Sequence, residues 1–157
     1  MKKIFLLTAI IFFSLSVMSQ SMGSTYKNAL GVKIYPGAVS YKHFFNDKNA
    51  GELLGYFWSN GFRVTGLYEI HSPINGAEGL QWYIGPGAHV GFFNTGYKKT
   101  YPGATGAYFG VDGVLGLDYK IKNAPINLSI DWQPSFTFGD YLGFDGGWGG
   151  FAARYTF

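Results

Sequence analysis

Residues 126–138, INLSIDWQPSFTF, decide the fold class because polarity alternates along them without an exception. One set of alternate positions is apolar: Ile126, Leu128, Ile130, Trp132, Pro134, Phe136 and Phe138. The other set is polar: Asn127, Ser129, Asp131, Gln133, Ser135 and Thr137. Successive side chains of a β-strand point to opposite faces, so this stretch predicts a strand with one apolar and one polar face.

Similar segments recur along the chain and predict eight strands in total. The other seven are ALGVKIY (29–35), AVSYKHFF (38–45), GELLGYFW (51–58), FRVTGLYEIH (62–71), LQWYIGPGAHVGFF (80–93), AYFGVDGVLGLDYKI (107–121) and GGFAARYTF (149–157). Turn dipeptides such as PG and NG separate several segments and favour tight hairpins. Short connections make consecutive strands antiparallel neighbours, so we expect an all-β, up-and-down barrel. Pro86 and Pro134 lack a ladder donor, and we expect bulges or strand irregularities there, not breaks.

The polar face decides which side of the barrel points inward. Its ionisable residues are five cations and five anions: Lys33, Lys42, Arg63, Lys120, Arg154, Glu52, Glu69, Asp112, Asp118 and Asp131. A Lys or Arg facing mid-bilayer lipid would cost about 2 to 4 kcal/mol, whereas inside a narrow lumen these groups can pair. We therefore expect an antiparallel transmembrane β-barrel with its apolar face toward lipid. Within the lumen, Arg154 is expected to pair with Asp131 on the neighbouring strand.

The bulk composition agrees with this reading and excludes other classes. Charged residues make up 13% of the chain, against roughly 25% in an ordinary soluble domain. There is no cysteine, which excludes a disulfide framework and a thiolate metal site. Once Lys2 and Lys3 are set aside with the N-terminal segment, ten basic residues face nine acidic ones, so no nucleic-acid partner is expected.

The N-terminal stretch MKKIFLLTAIIFFSLSVMSQ has the order of a secretory signal peptide: lysines, an uncharged apolar run, then small residues. The run from Ile4 to Val17 has fourteen residues. A membrane-anchoring helix is the alternative, but it needs roughly 20 residues. Cleavage after Ser19 predicts a signal peptide at residues 1–19 and a barrel domain at residues 20–157.

The C-terminal strand carries a resemblance to a known class of protein. Phe151, Ala153, Tyr155 and Phe157 alternate up to an aromatic final residue. This pattern resembles the C-terminal signature of bacterial outer-membrane β-barrels. Together with GVDGVLGLDYKI and PINLSIDWQPSFTF, it makes residues 25–157 similar to small barrels of the OmpA/OmpX type, and to uncharacterised barrel proteins of Bacteroidetes-like bacteria.

The resemblance implies an outer-membrane location, a monomer, and contact with outer-membrane lipids and lipopolysaccharide. It also implies that the barrel-insertion machinery reads the strand that ends at Phe157. The outer connections are then at Pro36, at Asn60, at residues 94–106 and at residues 139–146. Exposed aromatic and basic side chains in the last two loops could bind lipopolysaccharide or an extracellular partner: Tyr97, Lys98, Lys99, Tyr101, Tyr141, Phe144 and Trp148.

The candidate catalytic or metal-binding residues are His71, His89 and Glu69 on the inferred interior faces, whereas His43 faces outward. Ser40 and Ser72 are the only serines close enough in sequence to act as nucleophiles. No ligand spacing supports a metal site, and a structural role in a polar lumen is the expected one for the two interior histidines. No catalytic, metal or cofactor site is predicted.

These observations predict a non-enzymatic outer-membrane barrel with a filled polar lumen and a structural or surface-interaction role. An outer-membrane enzyme acting on lipid A or phospholipid, with His89 or His71 as its base, is the first alternative. A soluble periplasmic barrel that binds an apolar ligand is the second.

Overall fold

The computed structural model describes residues 26–59, 61–93, 106–138 and 143–157. The predicted signal peptide at residues 1–19 lies outside this part of the chain. Within it the regular elements are ten β-strands. Their bounds are β1 (Asn28–Ile34), β2 (Ala38–Phe44), β3 (Asn49–Trp58), β4 (Gly61–Pro73), β5 (Leu80–Phe93), β6 (Ala107–Lys120), β7 (Ile126–Trp132), β8 (Ser135–Phe138), β9 (Gly143–Asp145) and β10 (Gly149–Thr156).

The strands close into an eight-stranded antiparallel barrel. The ladder runs β5-β4-β3-β2-β1-β10-β7-β6, and β5 also pairs with β6, which closes the ring. β7 and β8 are two halves of one barrel strand, because both pair with β6 in the same register, at Leu115↔Trp132 and Phe109↔Phe138. β9 pairs with β8 as β10 pairs with β7, so these two also form one strand. The expected all-β meander is confirmed, including four strands before residue 80.

The two prolines interrupt the ladder without shifting it. Pro86 lies within β5, and the pairings on either side of it, Ile84↔Leu115 and Ala88↔Val111, keep one register. Between β7 and β8, the carbonyl of Pro134 accepts the Gly113 N–H at 2.8 Å. Each proline therefore removes a donor but adds no extra residue, so both are strand irregularities and not bulges.

A bulge does occur in the last barrel strand. Ser135 pairs with Asp145 and Trp132 pairs with Gly149, so residues 146–148 lie opposite only residues 133 and 134. Such an extra residue re-aims the side chains beside it, and here Trp148 points into the barrel. Gly149 and Gly150 follow with φ of 134° and 140°, a conformation that residues with a Cβ rarely adopt.

The barrel has two ends that differ in what they carry. The terminal mouth is the end at which β1 begins, β10 ends, and the β2–β3, β4–β5 and β6–β7 turns lie. The loop mouth is the opposite end, where β1 joins β2 and where β3, β5 and β8 end. The expected outer connection at Pro36 belongs to the loop mouth, whereas the turn at residues 74–79 belongs to the terminal mouth. The expected outer connections at residue 60, residues 94–106 and residues 139–146 lie wholly or partly outside the described residues.

Candidate functional site

The lumen is lined by the ionisable residues that the alternating pattern assigned to it. Nine of the ten are buried: Lys33, Lys42, Glu52, Arg63, Glu69, Asp112, Asp118, Asp131 and Arg154. The exception is Lys120, which lies half-buried at the rim and donates from Nζ to the Ile121 carbonyl at 3.1 Å. The lumen thus holds four Lys and Arg side chains against five carboxyl groups.

The part of the lumen near the terminal mouth holds the largest group of charges, which we name the terminal cluster: Lys42, Glu52, Glu69, His71, Asp118 and Arg154. Lys42 Nζ lies 2.8 Å from Glu69 Oε2, 3.2 Å from Asp118 Oδ2 and 3.7 Å from Glu52 Oε2. Since all of these side chains are excluded from water, one ammonium group serves three carboxyl groups at once.

Arg154 forms the second centre of the terminal cluster. Its guanidinium donates to Glu52 Oε1 and, through Nη1, to Asn127 Oδ1 at 3.0 Å and Ser129 Oγ at 2.8 Å. Ser40 accepts from Arg154 Nε and donates to Glu52, so its hydroxyl is fully engaged. Ser40, one of the two serines considered as nucleophiles, therefore belongs to a charge network.

The expected pair between Arg154 and Asp131 is wrong. The β7–β10 register places Arg154 opposite Asn127 and Asp131 opposite Gly150, four residues farther along the strand. Asp131 instead accepts from Lys33 Nζ at 2.6 and 2.8 Å and from the Tyr83 hydroxyl at 2.8 Å. Strand adjacency was inferred correctly, but the register decides which side chains meet.

The loop-mouth half of the lumen contains a separate loop cluster: Tyr56, Arg63, His89, Asp112, Gln133 and Thr137. Arg63 pairs with Asp112 Oδ1, which also accepts from Gln133 Nε2 at 3.2 Å. The Tyr56 hydroxyl donates to Gln133 Oε1 at 2.9 Å. These contacts hold the Asp112 carboxylate in one orientation.

Trp148 covers the loop cluster. The Arg63 guanidinium carbon lies 4.0 Å from the centre of the Trp148 ring, and Tyr56 meets the same ring edge-on at 4.9 Å. Trp148 was expected to be exposed in an outer loop, and this is wrong because the bulge at residues 146–148 turns its side chain inward. Phe144 is exposed as expected. Tyr97, Lys98, Lys99, Tyr101 and Tyr141 lie outside the described residues.

His71, His89 and Glu69, the residues considered for a base or a metal site, do not lie together in one site. His71 Nε2 lies 2.8 Å from Glu69 Oε2 in the terminal cluster, whereas His89 Nδ1 lies 2.8 Å from Asp112 Oδ2 in the loop cluster. Among the residues described, no group of three His, Cys, Asp or Glu side chains could hold a metal ion. His43 faces outward as predicted and contacts Asn28 Oδ1 at 2.8 Å.

Thr137, His89 and Asp112 form an ordered row that the sequence did not reveal. His89 Nε2 lies 3.2 Å from Thr137 Oγ1, and its Nδ1 faces Asp112. A hydroxyl, an imidazole and a carboxylate in this order can make the hydroxyl nucleophilic. All three side chains are buried, so the row has little direct access to solvent. Alternation placed each residue on the inner face, but only the register brings the three strands' side chains into one row.

The ring of Tyr83 packs against the terminal cluster. Tyr83 stacks on His71 at 4.9 Å and lies under Lys42 Nζ, 4.4 Å from its ring centre. Gly116 faces this ring, and a Cβ at that position would lie 2.5 Å from Tyr83 Cζ. A glycine on the inner face thus provides the room that the tyrosine occupies.

The outer face of the barrel is apolar, and its aromatic side chains gather near both mouths. Those near the loop mouth are Tyr35, Phe57, Phe62, Phe92, Phe109, Phe136, Phe144 and Phe151; those near the terminal mouth are Tyr41, Phe45, Tyr68, Trp82, Tyr119, Tyr155 and Phe157. Aliphatic side chains such as Val32, Leu53 and Leu115 lie between the two bands and are also exposed, as is Trp132, which pairs with Leu115. No helix in the described ranges is long and apolar enough to cross a membrane.

A cavity of about 230 Å³ opens at the terminal mouth. The turn at residues 74–79 and the turn at residues 121–123 form its walls, and Tyr26, Gln81 and Asp118 also line it. The Tyr26 hydroxyl donates to Asp118 Oδ1 at 3.3 Å. Burial, followed by the charge of Asp118, raises the pKa of Tyr26 well above its ordinary value, so this phenol stays a neutral donor. The cavity therefore reaches the edge of the terminal cluster.

No family model matches the chain, and no match was found among curated proteins or solved structures. The geometry alone defines the class: a closed eight-stranded antiparallel β-barrel with buried charged side chains inside and exposed apolar side chains outside.

The register predicts which partner of Arg154 matters for stability. Arg154→Met leaves the Glu52 carboxylate buried without its guanidinium, and we expect a loss of about 3 to 5 kcal/mol in the free energy of unfolding. Adding Glu52→Gln should recover part of this loss. The measurement is urea unfolding of the refolded barrel, followed by tryptophan fluorescence.

Asp131→Asn provides the matched control because Asp131 contacts Lys33 and Tyr83. Its cost should simply add to that of Arg154→Met, as expected for side chains with no shared contact. A rescue of Arg154→Met by Asp131→Asn, and not by Glu52→Gln, would contradict the observed register.

Proposed function

We propose that the chain is a monomeric outer-membrane β-barrel with a closed lumen, serving a structural or surface-interaction role without catalysis. The observation that carries the proposal is that charged side chains lie inside the barrel and apolar side chains outside, the reverse of a soluble protein. Nine ionisable side chains are buried inside the barrel, while large apolar side chains cover the outside.

The exterior supports a lipid environment. Soluble monomers rarely expose a contiguous apolar patch larger than a few hundred Å². Here every described strand of the closed ring presents exposed apolar residues, for example Val32 in β1, Leu53 in β3 and Leu115 in β6. Lipid chains would remove this surface from water, and the strands from β1 to β7 and β10 each pair with a neighbour on both sides, as a membrane crossing requires.

The two aromatic bands support the same environment. Transmembrane barrels carry girdles of aromatic residues at both membrane interfaces, flanking an apolar band roughly 25 Å tall. The chain has exposed rings near each mouth, including Phe57 and Phe109 at one end and Tyr119 and Tyr155 at the other. Outer-membrane lipids and lipopolysaccharide are accordingly the proposed contacts of the loop-mouth band.

The interior argues against the soluble alternative. A soluble barrel that binds an apolar ligand needs an apolar cavity inside. The described lumen instead contains ion pairs such as Lys33–Asp131 and Lys42–Glu69, with Tyr83 packed between them. Burying charges inside while exposing leucine and phenylalanine outside would be unfavourable in water on both counts.

A hydrolase acting on lipid A or phospholipid is a second candidate, favoured by the row of Thr137, His89 and Asp112. In that reaction the Thr137 hydroxyl would bond to an ester carbonyl carbon while its proton passes to His89 Nε2. The same proton would then go to the released alkoxide, and water would hydrolyse the acyl-threonine. The non-enzymatic role is preferred because the Asp112 and Thr137 contacts also suffice to satisfy His89 inside a filled lumen.

Substitution on the outer face distinguishes a lipid environment from water. Val32→Arg places a charge at the middle of the apolar band, and we expect a loss of about 2 to 4 kcal/mol in the stability of the barrel refolded into lipid vesicles. Phe45→Arg, near the terminal mouth, should cost only about 0 to 1 kcal/mol, because the penalty falls toward the interface. Membrane fractionation of the wild type accompanies this comparison. Recovery in the soluble fraction, with both variants as stable as the wild type, would overturn the proposal.

A second substitution tests whether Phe157 is read during assembly. Its side chain is 61% exposed, so Phe157→Ala should alter the stability of the refolded barrel little. We nevertheless expect a large loss of outer-membrane yield in cells. Phe151→Ala is the control, since it removes an exposed ring from the same face of β10. Equal yields for the two variants would rule out recognition of the final residue.

The hydrolase candidate predicts release of fatty acid from phospholipid in mixed micelles. Thr137→Val should abolish that release, whereas Ser135→Ala, which removes a neighbouring inward hydroxyl, should leave it intact. Absence of fatty-acid release by the wild-type protein, or equal release by Thr137→Val, excludes this reaction.

A further inference from the structure

The terminal cluster contains one more carboxyl group than it has permanently charged partners. Glu52, Glu69 and Asp118 face Lys42 and Arg154. The loop cluster, by contrast, sets Arg63 against Asp112 alone. Two carboxylates that adjoin each other out of water cannot both remain ionised without a large electrostatic cost.

Two buried oxygens without a partner indicate which carboxyl groups share the excess negative charge. Glu52 Oε2 and Glu69 Oε1 have no hydrogen-bond donor among the described residues. Lys42 Nζ lies 2.8 Å from Glu69 Oε2 and 3.7 Å from Glu52 Oε2, so the two carboxyl groups adjoin each other, and a hydrogen bond between them would give both oxygens a partner. Since an ionised carboxylate only accepts, such a bond requires one of these two oxygens to carry a proton.

We propose that Glu69 holds a proton and donates it to Glu52, so that the terminal cluster is a buried binding site for one exchangeable proton. With that proton the cluster is neutral: Lys42 and Arg154 balance Glu52 and Asp118. Both orphaned oxygens also gain a partner, because Glu69 Oε1–H donates to Glu52 Oε2.

The other contacts of the pair explain why the proton resides on Glu69. Glu52 Oε1 accepts from both Arg154 and Ser40, and these contacts favour its ionised form. Protonation costs Glu69 less electrostatic stabilisation than it would cost Glu52, because its partner Lys42 also contacts Asp118 and Glu52.

Every strand packed around Glu69 contributes to this balance. Lys42 faces it from β2, Glu52 from β3 and His71 from β4 itself. Tyr83 of β5 lies against Lys42 and His71, while Asp118 of β6 and Arg154 of β10 complete the cluster. A proton on His71 instead would neutralise the cluster but leave both orphaned oxygens without a donor.

The cavity at the terminal mouth provides the route of exchange. Gln81 and Asp118 line that cavity. Gln81 Oε1 lies 3.1 Å from His71 Nδ1, and His71 Nε2 lies 2.8 Å from Glu69 Oε2. Water in the cavity is thus separated from Glu69 by one amide and one imidazole. The site lies within the lumen, so it does not depend on where the barrel resides.

The sign of the pH dependence follows from proton counting. In the unfolded chain a glutamate is ionised above about pH 5. The native barrel then binds one proton more than the unfolded chain, so stability falls as pH rises until Glu69 loses its proton. Across that window this site changes the unfolding equilibrium constant by about tenfold per pH unit.

The test compares isosteric variants of the refolded barrel in detergent, with unfolding midpoints measured in urea between pH 5 and pH 10. Glu69→Gln mimics the protonated side chain, so its urea midpoint near pH 5 should equal that of the wild type. As the pH rises, the variant should lack the fall in stability that this site contributes to the wild type. Glu52→Gln should lower the midpoint at every pH, because Arg154 loses its carboxylate. Glu78→Gln, which alters an exposed ion pair with Lys122, is the control and should retain the wild-type slope.

Infrared spectroscopy separates the two possible holders of the proton. The carbonyl stretch of a protonated carboxylic acid should appear in the wild type at neutral pH and in His71→Gln, and should be absent in Glu69→Gln. The proposal would be overturned if the stability of Glu69→Gln depended on pH as strongly as that of the wild type. It would also be overturned if the wild type showed no carboxylic acid carbonyl stretch. Loss of the slope in His71→Gln with no carboxylic acid signal in the wild type would assign the proton to His71.

Discussion

Barrel closure is the constraint on which the rest of the structure depends. The β1–β10 and β5–β6 pairings leave no open edge in the ring, and they enclose a narrow lumen. Nine ionisable side chains inside it lose their contact with water. A buried charge is stable only beside opposite charge and hydrogen-bond donors, so the lumen has to be a mutually satisfied network.

That requirement explains why the charges divide into groups along the barrel axis. Lys33 and Asp131 pair directly, while the loop cluster joins Arg63 to Asp112 and the terminal cluster shares Lys42 and Arg154 among three carboxyl groups. The aromatic rings of Tyr83 and Trp148 pack beside these charged groups. Gly116 makes room for Tyr83, and the bulge before Gly149 turns Trp148 over Arg63.

The two proposals rest on different surfaces of the same wall. The apolar outer face, with aromatic bands near both mouths, supports a lipid environment. The proton site is on the inner face, where Glu52 and Glu69 both lie beside Lys42 and each has a buried oxygen without a hydrogen-bond partner among the described residues. Because alternate residues of each strand serve the two faces, a change such as Val32→Arg probes the exterior without touching the interior network.

The sequence by itself determined the strands, their order and the face that each residue occupies, because a period of two is a local property of the chain. Alternation in residues 126–138 placed Asp131 and Trp132 on opposite faces, and the ionisable residues of the polar face then predicted Asp131 inside and Trp132 outside. It could not determine partners, since the register that sets Arg154 opposite Asn127 depends on all the neighbouring strands together. The same holds for Thr137 beside His89 and for Trp148 over Arg63, which come from distant strands and from one extra residue in a bulge. Only the closed tertiary structure brings these side chains within hydrogen-bonding or stacking distance, because those distances are set across the lumen and not along the chain.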